Sequence, residues 1–230
     1  MKKAVLFWSA GKDSAMALNR LKKDPQVEIL GLVTTLNSDF KRISMHGLAE
    51  KVLDRQAEQL GFPIIKMWVP NQPDNFSYEK VFQVTCTQLK EMGVDTLVFG
   101  DIFLEDLRTY REDLASKAGL KTYFPLWMNS SIELQKELLD GGFEAITCCV
   151  QSDKLGEDWI GKHLTLNFFR KLPQGIDPFG ENGEFHTFCY NGPVFRKPIA
   201  YETGEVVFRP LQIKQTDRAE DTGFLYLDII

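Results

Sequence analysis

Lys3-Ala4-Val5-Leu6-Phe7-Trp8-Ser9-Ala10-Gly11-Lys12-Asp13-Ser14 is the stretch from which the rest of the 230-residue chain can be read. Residues 3–8 are a short apolar run rich in strand formers, a glycine turn follows, and residues 13–23 place apolar side chains at helical spacing. The stretch is therefore a strand handing over to a helix. Such a junction presents unpaired backbone N–H groups and the positive end of a helix, for which phosphate oxygens are the natural ligand. Gly11 lets the backbone approach phosphates closely, Lys12 supplies a movable positive charge, and the Ser9 and Ser14 hydroxyls donate hydrogen bonds. Asp13 is a candidate magnesium ligand, and Ala10 completes the loop. The loop is too short for a Walker motif, and no GxGxxG of the nicotinamide type stands at the junction. As bare residues, Ser9 and Asp13 also suit simple helix caps.

Outward from this unit, residues 28–36 read as a second buried strand, 47–60 as a helix and 63–69 as a third strand. Residues 76–92 supply another helix, 94–101 a fourth strand ending in Asp101, and 104–118 a helix before Tyr123 and Phe124. The alternation predicts an α/β fold with an open, doubly wound parallel sheet. After Trp127 the rhythm loosens. Residues 132–139 read as a helix, 145–150 as a strand, and from Gly156 onward glycine, proline and aromatic residues become more frequent. We read residues 1–128 as a phosphate-binding domain and 129–230 as a smaller α+β domain for the substrate. Residues 145–150 fit equally as an edge strand of the first sheet.

Composition narrows the class. The net charge of -5 and pI near 5.3 leave no excess of positive charge for a nucleic-acid backbone, so nucleic-acid partners are disfavoured. Cys86, Cys148, Cys149 and Cys189 show no CxxC spacing and do not suggest a disulfide framework. No apolar stretch reaches membrane-spanning length, and the first residues run into the loop without a signal-type cleavage site. The expectation is a cytoplasmic protein with no membrane partner. Charged residues are 26% of the chain, and Gln, Asn, Met and Cys are used freely, unlike the ion-pair-rich composition of a hyperthermophile.

Other residues join the loop as candidates. Asp101, at the carboxyl end of the fourth strand, stands on the edge where open α/β sheets bind ligands; it either holds magnesium or substrate, or merely turns the chain. His46, before a helix, either contacts phosphate or is structural. The run Gly180-Glu181-Asn182-Gly183-Glu184 packs two carboxylates into a turn suited to holding a metal or an amine, or else to facing water. His186 is a candidate proton acceptor, next to Thr187 on a strand. Glu105, Arg108 and Arg111 share a helical face that reads better as a solvated surface than as a cleft wall, and Phe168, Phe169, Phe179, Phe185 and Phe188 read as core.

The loop resembles the SGGKDS motif of the adenine nucleotide alpha hydrolase (HUP-like) superfamily, with Ala10 where glycine is usual. Ser44-Met45-His46-Gly47, Phe99-Gly100-Asp101-Ile102 and the segment from Gly175 to Thr187 sharpen the resemblance to the diphthine-ammonia ligase branch, the archaeal-type ATP pyrophosphatases, over nearly the whole chain. The resemblance implies an ATP-dependent, carbon–nitrogen bond-forming ligase that splits ATP to AMP and pyrophosphate with Mg2+. It would adenylate a carboxyl or carbonyl oxygen and let ammonium nitrogen displace AMP. It implies that Ser9 to Ser14 and His46 bind ATP, that Asp13 and Asp101 hold the metal, and that Lys12, Asp13, Asp101, Glu184 and His186 act in catalysis. The acceptor would be a modified histidine of elongation factor two in an archaeal or eukaryotic chain, and another molecule in a bacterial one. A transfer-RNA thiolating enzyme and a non-catalytic nucleotide-binding module share the loop; the first would call for a basic surface and paired functional cysteines.

Overall fold

A computed structural model describes residues 1–71, 74–210 and 222–230. The opening stretch forms strand β1 (Lys2–Phe7) and helix α1 (Lys12–Lys23), joined by the loop. There follow β2 (Val27–Asn37), the two-residue β3 (Arg42–Ile43), α2 (Glu50–Leu60), β4 (Ile64–Val69), α3 (Asn75–Glu91), β5 (Thr96–Val98), α4 (Glu105–Lys117) and β6 (Lys121–Tyr123). Parallel pairing orders the main strands β4-β2-β1-β5-β6, and β3 adds antiparallel to the far end of β2. This is the doubly wound α/β sheet expected from the alternation. Its strand order reverses between β1 and β5, which opens a crevice at their carboxyl ends.

The two sheet faces divide the apolar side chains as strand alternation requires. Val5, Val33, Leu97 and Phe99 pack with Phe82, Leu89 and Leu114 of α3 and α4. Ala4, Leu6 and Leu32 face α1 and α2, and their core continues without a break into Ile146, Phe188 and Leu227 of a second sheet. Beyond α5 (Ser131–Asp140), that antiparallel sheet has the order β8-β7-β10-β9, built from β7 (Glu144–Gln151), β8 (Phe185–Asn191), β9 (Thr203–Pro210) and β10 (Gly223–Ile229). A short helix α6 (Leu166–Lys171) lies between β7 and β8.

Residues 145–150 belong to this second sheet, where β7 pairs with β8 and β10, and are not an edge strand of the first. The fourth strand is shorter than the pattern suggested. Residues 96–98 pair on both sides, Phe99 keeps one backbone bond to the Tyr123 carbonyl, and residues 99–101 line the crevice. A bidentate clamp joins the two parts: Arg20 of α1 donates to both carboxylate oxygens of Glu137 on α5 and, at 2.7 Å, to the Pro125 carbonyl. Among the described residues no helix is long and apolar enough to cross a membrane.

Candidate active site

Four segments that the sequence singled out separately meet around one cavity of about 540 Å³: residues 9–14, 44–46, 99–101 and 179–187. The loop emerges from β1 with Ala10 in the left-handed region at φ 70, a conformation disfavoured for any residue with a Cβ. Its carbonyl is tied down by the Cys189 N–H at 2.9 Å and by Gln56 Nε2 at 3.2 Å. Gln56 is fully buried, also donates to the Cys189 carbonyl and accepts from Trp8 Nε1 at 2.9 Å. One amide thereby joins the first strand, the loop and the second sheet.

Gly11 is required by close approach: a Cβ there would lie 2.6 Å from His46 Cε1 and 3.0 Å from the Thr187 carbonyl. The next N–H, of Lys12, donates to Thr187 Oγ1 at 3.0 Å. Within the loop, the Ser14 hydroxyl donates to the Gly11 carbonyl at 3.0 Å and stands 3.3 Å from the Ser9 hydroxyl. The Lys12 ammonium is almost wholly buried. It donates to Asp13 Oδ2 at 2.9 Å and to the Phe179 carbonyl at 2.6 Å, and lies over the rings of Phe179 and Phe185. Those two phenylalanines, read as core, are both core and cradle. Burial raises the Asp13 carboxyl above its ordinary range against the pull of Lys12, and its Oδ1 is buried with no hydrogen-bond partner among the described residues.

His46 and His186 face each other with ring centroids 4.8 Å apart. Burial lowers His46 to about 4, so the ring is neutral; its Nδ1 lies 2.9 Å from the Thr187 carbonyl, which can only accept, and this puts the proton on Nδ1. Burial, with His46 and Lys12 nearby, holds His186 well below its usual value, and its Nε2 is buried without a hydrogen-bond partner among the described residues. Two neutral imidazoles thus line the cavity. All four cysteines are free and buried; burial pushes Cys86, Cys149 and Cys189 up to about 12 and Cys148 well above its usual value, so none is a ready thiolate.

Asp101 lines the cavity and pairs with Arg111, Oδ2 to Nε at 2.7 Å. Burial raises its carboxyl, with Arg111 acting in the opposite sense. The helical face read as solvated surface is thereby corrected for one member: Arg111 turns into the cavity, while Arg108 lies over Phe124 and Trp127 and pairs with Glu112.

In the turn after Asp177, the two glutamates have different surroundings. Glu184 accepts from the Asp177 N–H at 3.1 Å and from Asn182 Nδ2 at 3.3 Å, is buried, and is not among the residues lining the cavity. Glu181 does line it. Glu181 Oε1 accepts from the Ile102 N–H at 2.7 Å, and burial raises this carboxyl to about 7, with Asp13 and Asp101 adding to the rise. Sequence reasoning named Glu181 only as one of two turn carboxylates, Thr187 only as the neighbour of His186 and Arg111 only as part of a solvated face, and it did not single out Gln56. For Gln56 a signal existed: an uncharged polar residue on the apolar face of α2, beside Val52, Leu53 and Leu60.

Among known proteins, the model for the diphthamide synthase N-terminal domain matches residues 1–122 and that for the diphthamide synthase C-terminal domain matches 130–218, of which 211–218 lie outside the described residues. The diphthine--ammonia ligase of Danio rerio is 25% identical over 193 residues, covering 77% of this chain and 74% of its own length. Those of Rattus norvegicus and Homo sapiens are 27% and 26% identical over 136 and 137 residues, 56% of this chain and 50% of theirs. This chain thus spans three quarters of the zebrafish relative and half of the mammalian ones in these matches. With both domain models matched in chain order and their signature segments converging on one cavity, the chain belongs to the diphthamide synthase family.

Proposed function

We propose that the protein is an amide-forming ligase that cleaves ATP to AMP and pyrophosphate, adenylating an acceptor carboxylate and passing the acyl group to ammonia. The observation that carries this reading is the phosphate loop at the strand-order reversal, with residues 179–187 of the second sheet's segment seated over it. A carboxylate oxygen attacks the α-phosphorus, and the bond to pyrophosphate breaks. Lys12, the Ser9 and Ser14 hydroxyls and the start of α1 hold the charge that develops on the leaving group. Ammonia then attacks the acyl carbon and AMP leaves with the bonding pair, giving the amide.

Ammonia attacks as the neutral molecule, and His186 Nε2, unpartnered among the described residues, is placed to accept the proton that the nitrogen releases as the C–N bond forms. Asp13, through its unpartnered Oδ1, and Asp101 fit a hard, oxygen-liganded cation that arrives on nucleotide phosphates. When bound, Mg2+ supplies neutralisation of phosphate charge. Glu184 shapes the turn that presents the Phe179 carbonyl to Lys12 and Glu181 to the Ile102 N–H. The relatives' name puts diphthine forward as the acceptor, carried by elongation factor two, and free buried thiols suit a reducing cytoplasm.

The test is product analysis of ATP labelled on the α-phosphate, with Mg2+, ammonium and elongation factor two bearing diphthine. AMP that depends on the acceptor and disappears in Lys12→Ala and Asp13→Ala is the expected result. ADP, or nucleotide binding without turnover, would overturn the adenylation reading in favour of a nucleotide-binding module.

A further inference from the structure

A second cavity of about 570 Å³ opens beside the first, and Ile43, Ser44 and Met45 line both. The shared wall is a backbone under tension: Met45 has φ 65, a left-handed conformation that a side chain disfavours. Gly47, at φ 71, lies under Tyr226, where a Cβ would come within 2.4 Å of the ring. Arg42 anchors this turn to the second sheet by donating to the Gly47 carbonyl and to Asp228 Oδ1, both at 2.8 Å. The neck between the cavities is therefore held in place from both sheets.

The outer wall is β9, the edge strand of the second sheet, with β10 on one side and no strand on the other among the described residues. Its alternate residues Glu205, Val207 and Arg209 face the cavity, as a two-residue repeat requires. Tyr226 and Asp228 of β10, and Ile230 just beyond it, face the same way, so the cavity lies over the side-chain face of the two strands. At the mouth, apolar side chains stand in water: Phe40 is 47% exposed, Met45 58%, Val207 42% and Ile230 44%. A pocket for a free small molecule encloses its ligand and does not need an apolar rim of this kind.

We propose that this groove is where the acceptor docks, as a polypeptide segment lying across the exposed face of β9 and β10 that inserts its carboxylate-bearing side chain past Ser44 and Met45 towards the α-phosphate. The proposal rests on the amide-ligase reading, because it places the second substrate of that reaction. Continuity between the cavities is what the chemistry demands, since the attacking oxygen has to reach the nucleotide from a site that the nucleotide does not fill.

The experiment uses the full chain and its Val207→Arg and Phe40→Ala variants, with diphthine-bearing elongation factor two as probe. The acceptor KM and kcat and the affinity for ATP are measured for each. A rise of about tenfold or more in KM, with kcat within about twofold and ATP affinity unchanged, is the expected result. A photo-crosslinking residue at position 207 should join covalently to the acceptor protein irrespective of turnover. AMP formation with unchanged KM in both variants and no crosslink overturns the docking site while the ligase reading stands. Equal kcat/KM for the free modified amino acid and for the intact protein overturns the polypeptide docking as well. No AMP from the unmodified chain sinks the underlying reading and this proposal together.

Discussion

Ala10 lies at φ 70 with its methyl group fully buried, so two effects oppose each other. The left-handed conformation costs a residue with a Cβ about 1–2 kcal/mol. The buried methyl contributes about 0.8 kcal/mol, and glycine adds unfolded-state entropy of about 0.4–1 kcal/mol. These nearly cancel. Ala10→Gly is therefore expected to change unfolding stability by less than about 1 kcal/mol. Ala17→Gly, equally buried but in the middle of α1, should cost about 2 kcal/mol from helix propensity and the lost methyl together. Urea unfolding of both variants decides it; an equal loss in the two would show that the alanine at position 10 carries no strain. The departure from the family's glycine is on this account tolerated by compensation, and the loop is built to hold it: two donors, Gln56 Nε2 and the Cys189 N–H, grip the Ala10 carbonyl.

At the scale of elements, the segment over the loop is latched to the turn before α4 by Glu181 and the Ile102 N–H. Burial raises the Glu181 carboxyl from 4.5 to about 7, so between these values the folded protein keeps a proton that the unfolded chain has released. Stability contributed at this site accordingly falls as pH rises through that window and stays at its lower level above it. His46 acts oppositely: its pKa drops from 6.5 to about 4, so its contribution is present above 6.5 and is lost as pH falls towards 4. Glu181→Gln removes only the first slope. The variant's stability relative to the parent should therefore improve by about 1–2 kcal/mol between about pH 5 and pH 8, measured by urea unfolding. A difference that does not move with pH would show that the carboxyl titrates normally.

Much of this arrangement is legible in the amino-acid sequence alone. The βα alternation of residues 3–118 was legible because buried parallel strands are apolar runs and their helices have one apolar face. The second sheet was less so: β9 carries Thr, Gly, Glu and Arg among its apolar residues and is exposed along most of its length. Glu181 could not be told from Glu184 in the sequence, because a turn dense in glycine gives no periodicity from which direction can be inferred. Arg111 was misplaced for a related reason, since helical spacing shows which residues share a face but not that the face borders a crevice.

For the whole molecule, the decisive fact is that the loop is completed by the opposite end of the chain. Lys12 N–H, the Lys12 ammonium and the Ala10 carbonyl find their partners at Thr187, Phe179 and Cys189. The first sheet, cut off after residue 128, would lose these contacts and open Lys12 and the Ala10 carbonyl to water, leaving Asp13 and Gln56 as their partners and the loop without its cover. We expect such a fragment to fail to bind ATP by calorimetry, and the separately produced remainder, residues 129–230, to restore binding when added. Binding by the fragment alone at the affinity of the intact chain would show that the second sheet is dispensable for the nucleotide.

The same long-range closure has a temporal side. During synthesis Ser9 to Ser14 leave the ribosome well ahead of β8 (Phe185–Asn191), the strand that finishes their pocket. A nascent chain of this protein therefore carries the loop with its pocket unfinished until Cys189 has emerged.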